Sequence, residues 1–521
     1  MLELRRRAPL AWAAWTGRAA VRVARELLGA SRMFETAELG RALDKAEFDK
    51  RAKALRTELL KMQEELLGAD FPVLIVLGGV DGAGKADVLN RLFEWMDARG
   101  LTSHATDDLT QDERERPEYW RFWMALPPNG RIGIFHGGWS APAIERHFAG
   151  DIDDDAFGAA LRRASAFERR MLDGGALVIK IWLHVSKSVQ KKRFSKLEKS
   201  RETRWRVRAD DWKRHERYDS MRRTCERALR ETGTGAAPWI VVESACWRYR
   251  DVTVGELVLE RVRDRLANLA PPSAGQAMPA DLPNPVTILD SLDLGCSCPE
   301  DEYKAELEHW QGGLNRLSHK IARSKRGVIM VFEGWDASGK GGAIRRITRS
   351  LDARRYRVIP IGAPTEEERA HHYLWRFWRQ ISRFGKFTIY DRSWYGRLLV
   401  ERVEGLASET AWKRAYEEIN DFEEQLVAHG LVVLKFWLHI SQAEQLRRFQ
   451  ERESQPWKHY KIGPEDYRNR AKTNAYERCA SDMIGGTSTE FAPWTLIEAE
   501  DKRYARVRVL KETCRQLSLS L

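Results

Sequence analysis

The chain has 521 residues, 43% of them hydrophobic, which is enough apolar material for large buried cores and excludes a disordered chain. Lys and Arg total 88 against 76 Asp and Glu, and the surplus of +12 suits a polyanionic partner, a phosphorylated substrate or a solvated basic surface. Six cysteines, of which only Cys296 and Cys298 lie close together, exclude a disulfide scaffold and make a poor zinc site. No apolar run reaches the roughly 18–20 residues of a membrane-spanning helix, so a reduced, soluble, cytoplasmic protein with no membrane partner is expected.

Taken in chain order, residues 1–32 match nothing later in the sequence. They read as a basic arm, or as residues upstream of a true start at Met33, and the second reading is preferred. From there the chain repeats itself. Gly79, Asp81, Gly84 and Lys85 recur 255 residues later as Gly334, Asp336, Gly339 and Lys340. At the same shift Trp120–Trp123 meets Trp375–Trp378, Trp139 meets Trp394, Arg193-Phe194 meets Arg448-Phe449, and Trp239 meets Trp494. A period this long means two whole domains rather than a solenoid. The expected organisation is an N-terminal arm (1–32), a first domain (33–268), a Pro/Ala-rich linker (269–286) and a second domain (287–521).

Each domain is predicted to be α/β. A charged amphipathic helix leads into each copy, at Lys45–Leu67 and Glu302–Ser324. In the second copy, apolar runs at Gly327–Gly334, Tyr356–Ile361, Lys386–Asp391, Leu431–Ile440 and Trp494–Glu498 alternate with helical patterns such as Thr365–Arg379 and Trp412–Ala428. Buried runs alternating with helices predict a parallel sheet covered on both faces.

The segment Gly334-Trp-Asp-Ala-Ser-Gly339-Lys340 follows one such run and precedes a helical pattern. Strand, glycine-rich turn and helix N-terminus form the setting of a phosphate-binding loop, in which backbone N–H groups converge on phosphate oxygens and Lys340 adds a charge. The residue after the lysine, normally a Mg²⁺-binding Ser or Thr, is Gly341. Asp336 within the loop and Asp391 at the end of the third run supply two carboxylates instead. Arg392 is placed to stabilise charge on a transferring phosphoryl group. The W-x-F-W cluster reads as core packing, and His371 and His372 are poor metal candidates for want of a ligand at the right spacing.

Together, Gly334–Gly342, Tyr390–Gly405, Lys435–Ser441, Glu444–Arg452 and Ala492–Arg503 resemble the signature segments of polyphosphate kinase family 2. The tandem arrangement resembles its two-domain subgroup, phosphotransferases that move the terminal phosphoryl of inorganic polyphosphate to AMP, giving ADP. The resemblance implies two tandem P-loop kinase-like (thymidylate kinase-like) folds, each with a helical lid. It implies Asp336 and Asp391 as ligands of Mg²⁺ or Mn²⁺, and Lys340 and Arg392 as phosphate clamps. It implies Gly334, Gly339, Gly341, Arg448 and Arg452 as phosphate contacts, with Lys458 and Lys461 as looser matches in the lid. Arg397, Glu401 and Arg402 fall in a signature segment without an assigned role. A homo-oligomer is expected. Alternative readings are polyphosphate-dependent phosphorylation of ADP to ATP and an ATP-dependent nucleoside monophosphate kinase. Nucleic acid is not an expected partner, because the tryptophans lie in apolar runs rather than interleaved with basic residues.

The first copy lacks the working groups. His136 and Gly137 stand where the second copy has Asp391 and Arg392, and Leu197 stands for Arg452. The second copy is expected to carry the chemistry, and a fragment from about Thr287 onward to keep some turnover.

Overall fold

The apolar runs become ten strands in two separate five-stranded parallel sheets, one in each of two units. The structure, a computed structural model, describes residues 33–106, 108–269, 275–280, 282–283, 285–456 and 462–521. The arm 1–32 and the lid residues Lys458 and Lys461 lie outside the described residues.

In unit 1 the strands are β1 (Val73–Gly79), β2 (Leu101–Ala105), β3 (Ile132–His136), β4 (Leu177–His184) and β5 (Trp239–Glu243), in the order β2-β3-β1-β4-β5. In unit 2 they are β6 (Gly327–Gly334), β7 (Tyr356–Pro360), β8 (Phe387–Asp391), β9 (Leu431–His439) and β10 (Trp494–Glu498). Their order, β10-β9-β6-β8-β7, is the same arrangement read from the other edge. The central strands β6 and β9 are buried along nearly their whole length, as an unbroken apolar run requires when helices cover both faces. The core of unit 2 runs from these strands to the helices Glu300–Ile321 and Lys502–Ser520, with Leu314, Ile321, Val509 and Leu517 fully buried.

Two local expectations change. The pattern Thr365–Arg379 is not one helix but two short ones, Glu366–Arg369 and Trp375–Trp378. Thr365 starts the first with a capping box to Glu368, and no residue of that turn is buried, whereas Trp375, Phe377 and Trp378 all enter the core. The chain turns between them, at His371 and His372, to serve both ends. His371 stacks on Trp375 at 4.0 Å, and His372 approaches Glu418 at 3.8 Å, so both imidazoles are taken up in packing and pairing.

The second change concerns which residues make up a unit. Unit 1 is built from residues 33–106 and 127–268, and unit 2 from 108–126 together with the described residues from 269 on. Within unit 2, the indole of Trp123 stacks on Trp378 at 5.7 Å, Trp120 donates its Nε1–H to Trp378 O, and Arg116 Nε–H donates to Ile381 O. Arg383 grips Glu115 through two hydrogen bonds of 2.5 and 2.9 Å. Trp378 then packs on Phe422 and Phe422 on Trp394, so the strip 108–126 closes one side of the aromatic core beneath the β8 turn. A fragment starting at Thr287 lacks this strip and exposes Trp378. Trp123→Ala in the full chain is expected to cost about 3–5 kcal/mol, the range for truncating a buried tryptophan, read as a lowered midpoint of chemical unfolding. A midpoint unchanged by the substitution would show that the strip is not structural.

Candidate functional site

The loop Gly334–Lys340 leaves the C-terminal end of β6, which lies between β8 and β9, the place in an open parallel sheet where a crevice forms. Gly334 has φ +136°, and a Cβ there would collide with the carbonyl of Leu438 on β9, so only glycine fits. Gly339, also left-handed, caps the helix Lys340–Thr348 and turns its first N–H groups toward the crevice. Lys340 folds back along the loop and donates to the carbonyls of Gly334 (2.7 Å) and Trp335 (2.9 Å). Burial lowers its pKa, and the neighbouring Asp336 works in the opposite direction.

Asp336 accepts Arg392 Nη2–H at 2.8 Å on one oxygen and Asn469 Nδ2–H at 3.1 Å on the other. Burial pushes its pKa up, but Lys340 and Arg392 outweigh burial and hold the carboxyl below its ordinary value. The register of β6 against β8 sets Phe332 beside Asp391, which brings the second carboxylate to the same edge. Among the described residues the Asp391 carboxylate has no hydrogen-bond or ion-pair partner, and Asp391, Asp336 and Lys340 line one cavity of about 750 Å³. Two hard oxygen donors in a crevice without the usual Ser or Thr fit a divalent cation such as Mg²⁺ or Mn²⁺. No group of three or more His, Cys, Asp and Glu forms a cage among the described residues.

Backbone strain marks the same place. Ala337 and Arg392 adopt φ +63° and +66°, left-handed conformations that L side chains avoid. Their counterparts in unit 1 are Gly82 and Gly137, with φ +73° and +89°. Unit 1 thus holds the same two backbone turns with glycine, where they cost nothing. Unit 2 carries the arginine at a cost on the order of 1 kcal/mol, and its side chain is 52% exposed at the crevice.

The cavity is also lined by Arg345, Arg346, Arg452, Lys502 and Arg506, a basic wall facing the loop. Arg448 departs from its expected role as a phosphate contact. It is 2% exposed, and all five of its N–H groups are taken by Glu444, the carbonyls of Ala337 and Ser338, and the carbonyls of Ala499 and Glu500. In this structure it braces the loop and has no donor left for phosphate. Arg193 makes the equivalent bonds in unit 1, to the carbonyls of Gly82, Ser244 and Ala245.

Three residues of the site hold positions to which the sequence motifs assign no role. Glu333 is buried at the end of β6, where burial raises its pKa, and accepts Ser393 Oγ–H at 2.8 Å. Asn469 holds Asp336 from the lid helix Pro464–Ala471. His439 accepts the indole N–H of Trp335, a loop residue, on Nδ1 at 3.0 Å. Glu333 and Asn469 sit outside the signature segments, whereas His439 lies within Lys435–Ser441. The 255-residue shift marks two of them, since Gly78 stands for Glu333 and Arg214 for Asn469.

The corresponding loop of unit 1 is closed to this chemistry. Lys85 still donates to the carbonyl of Gly79 at 2.8 Å, and Asp81 remains. The Asp81 carboxylate, however, is held at 2.7 Å by Arg214, which is fixed in turn by two hydrogen bonds to Glu145. A tethered guanidinium occupies the side of the carboxylate that Asn469 holds in unit 2. With His136 at the place of Asp391, unit 1 lacks the paired carboxylates a hard cation needs.

The contact between His439 and the loop gives a pH test. Burial lowers the imidazole pKa to about 4, against the raising effect of Glu500 and Asp290, while the unfolded chain titrates near 6.5. Between these values the unfolded state binds the extra proton, so stability is full above about pH 6.5 and falls as pH drops through 4, by up to about 3 kcal/mol. His439→Gln keeps an acceptor for Trp335 and does not titrate. Its unfolding free energy is expected to show a shallower slope over that window, and an unchanged slope would exclude His439 as the source.

Comparison with known proteins agrees with this geometry. The Polyphosphate kinase 2 family profile matches twice, at residues 42–269 and 297–520. A polyphosphate:AMP phosphotransferase of Pseudomonas aeruginosa is 47% identical over 485 residues, covering 92% of this chain and 97% of that protein. One from Acinetobacter johnsonii is 34% identical, covering 85% and 90%. A solved polyphosphate kinase 2 structure from Pseudomonas aeruginosa superposes with a TM-score of 0.83 at 45% identity, covering 94% of this chain and 99% of that one. Two phosphate-loop units of one topology, matched along nearly their full length, establish that the chain belongs to the polyphosphate kinase 2 family.

Proposed function

We propose that the chain transfers the terminal phosphoryl group of inorganic polyphosphate to AMP, giving ADP, and that unit 2 performs the step. The supporting observation is the pairing of Asp336 and Asp391 around the phosphate loop of unit 2, in a chain whose full-length relatives are polyphosphate:AMP phosphotransferases. An oxygen of the AMP phosphate attacks the terminal phosphorus of the polymer. The P–O bond to the next phosphate breaks, and the shortened chain leaves with the electron pair. No proton needs to move, so the protein's task is to position two polyanions and stabilise charge.

The residues divide that task. The loop N–H groups and Lys340 hold phosphate oxygens. Arg392, half-exposed with only one N–H bonded to Asp336, is free to follow the phosphoryl group as charge builds on it. Asp336 and Asp391 would hold Mg²⁺ or Mn²⁺, which neutralises the facing phosphates when bound. Arg345, Arg346, Arg452 and Arg506 line the cavity and suit a polymer with a negative charge on every phosphate. The acceptor AMP is a cytoplasmic metabolite, which supports a cytoplasmic reaction; among the described residues no helix is long and apolar enough to cross a membrane.

Asp391→Asn is expected to abolish turnover of polyphosphate with AMP, whereas His136→Ala leaves kcat within a few-fold. Retention of half the native rate by Asp391→Asn would assign catalysis to unit 1. Arg392→Ala is expected to lower kcat by about 10² or more, the scale of losing a charge stabiliser in the transition state. Identification of the nucleotide products decides the acceptor. ATP formed from ADP faster than ADP from AMP would replace the reading with ADP phosphorylation. Activity that needs ATP and no polyphosphate would replace it with an ordinary monophosphate kinase.

A further inference from the structure

A dense run of positive charge lies in unit 1, outside the phosphate loop of unit 2. In unit 1 the helix Lys187–Lys199, the turn Arg204–Arg206 and the residue Arg208 that caps the next helix span residues 187–208. This stretch holds ten Lys and Arg against two Glu, a net +8. The matching stretch of unit 2, residues 442–463, holds five against three, a net +2.

The two lid helices manage their charge in opposite ways. In unit 2 the signs are interleaved: Arg447 pairs with Glu444 at 2.6 Å and approaches Glu451 at 3.7 Å, and Arg448 pairs with Glu444. In unit 1 the positions of Glu444 and Glu451 are Val189 and Lys196. Lys192 and Lys196 then stand four residues apart, a like-charge spacing that weakens a helix by about 0.2–0.5 kcal/mol, while Lys187, four residues before Lys191, pairs with Asp219 at 3.1 Å. Lys191, Lys192, Lys196 and Lys199 are exposed, as are Arg201 and Arg204 on the turn beyond. A face that serves solubility alone mixes the two signs. This one accumulates a single sign against its own helix stability, which a bound polyanion would offset.

We propose that the basic lid face of unit 1 is a docking surface for the inorganic polyphosphate chain, separate from the reaction site of unit 2. The proposal rests on the reading of polyphosphate as the substrate. A single-stranded nucleic acid would present the same backbone charge but needs a succession of aromatic platforms for its bases. Here Trp205 is the one widely exposed ring at 74%, with its indole N–H bonded to Glu202 O, while Phe194 and Trp212 pack edge to face. A polymer with charge and no bases is what this face recognises. Unit 1 holds the chain without cleaving it, because Arg214 occupies Asp81 and His136 stands at the place of Asp391.

The test uses the full chain with Lys191, Lys192, Lys196 and Lys199 all changed to Gln, which preserves helix propensity, and a companion in which all four become Arg. Binding of long-chain polyphosphate is measured in the Asp391→Asn background so that nothing turns over. The Gln variant is expected to bind at least about tenfold more weakly, with a shallower dependence on salt, and the Arg variant to bind like the parent. With tripolyphosphate and AMP and an intact Asp391, kcat is expected to be unchanged in both. A Kd for long-chain polyphosphate within twofold of the parent in the Gln variant would overturn the proposal. Competition by single-stranded DNA as effective, phosphate for phosphate, as polyphosphate itself would overturn it in favour of a nucleic-acid surface. Absence of polyphosphate turnover in the parent chain would instead overturn the substrate reading.

Discussion

One guanidinium fixes the geometry on which the site depends. The five N–H groups of Arg448 tie together the phosphate loop, the lid helix Gln442–Ser454 and the turn after β10, which Gln445 and Ser441 also join through Asp336 O and the Glu500 carboxylate. A loop whose amides must point into a crevice has carbonyls on its outer side, and those of Ala337 and Ser338 need donors. Arg448 supplies them from within the fold. Burial works to lower its pKa, while Glu444 and Glu500 hold the charge in place. Removing one partner from a buried charged network of this kind costs about 3–5 kcal/mol.

The same logic repeats one layer deeper. Lys435 on β9 is fully buried and donates to Glu423 at 2.7 Å, to Tyr395 Oη at 2.9 Å and to Thr487 O at 2.7 Å. Glu423 also accepts the Trp394 indole N–H and the Tyr395 hydroxyl, so the ion pair anchors the turn that carries Asp391 and Arg392. Unit 1 keeps the core of this arrangement: Lys180 donates to Glu168 and to Thr232 O, and Trp139 donates to Glu168. A buried network present in both units, with its donors all spent on protein groups, belongs to the scaffold. A feature present only in unit 2 belongs to the chemistry. By that test Lys435, Glu423 and Arg448 are scaffold, while Asp391, Arg392, Glu333 and Ser393 are not.

Much of this is legible in the sequence. The five apolar runs of the second copy match its strands to within a residue, because a strand buried on both faces leaves a continuous signal. The phosphate loop is legible because glycine spacing, strand and helix coincide. Three things are not. One helical turn relates Arg448 to Arg452, and periodicity cannot say whether an arginine faces the cavity or the carbonyls behind the loop. The strip 108–126 groups with its neighbours in sequence, since no local signal says that Trp120 and Trp123 complete the aromatic core of unit 2. Glu333 is hidden inside an apolar run, where a single carboxylate reads as the end of a strand rather than as a buried acid.

The carboxylates of the two phosphate loops, Asp336 and Asp81, sit in one fold with different partners. Asp336 and Asp81 are both partly enclosed, and an enclosed carboxylate needs a cation beside it. In unit 2 Arg392 serves, from a strained backbone and with a half-exposed side chain that a phosphate can draw away. In unit 1 glycine at position 137 removes both that arginine and the strain, and the charge is balanced from the lid by Arg214. Glu145 holds Arg214 from its far side, and together the two carboxylates raise its pKa, so this cation is fixed. The two units therefore satisfy the same electrostatic requirement with cations of opposite mobility. Where the cation can move, the loop can exchange it for metal and phosphate. Where it is tethered, the loop stays closed around its own side chain, which is what the proposed division of labour between the units requires.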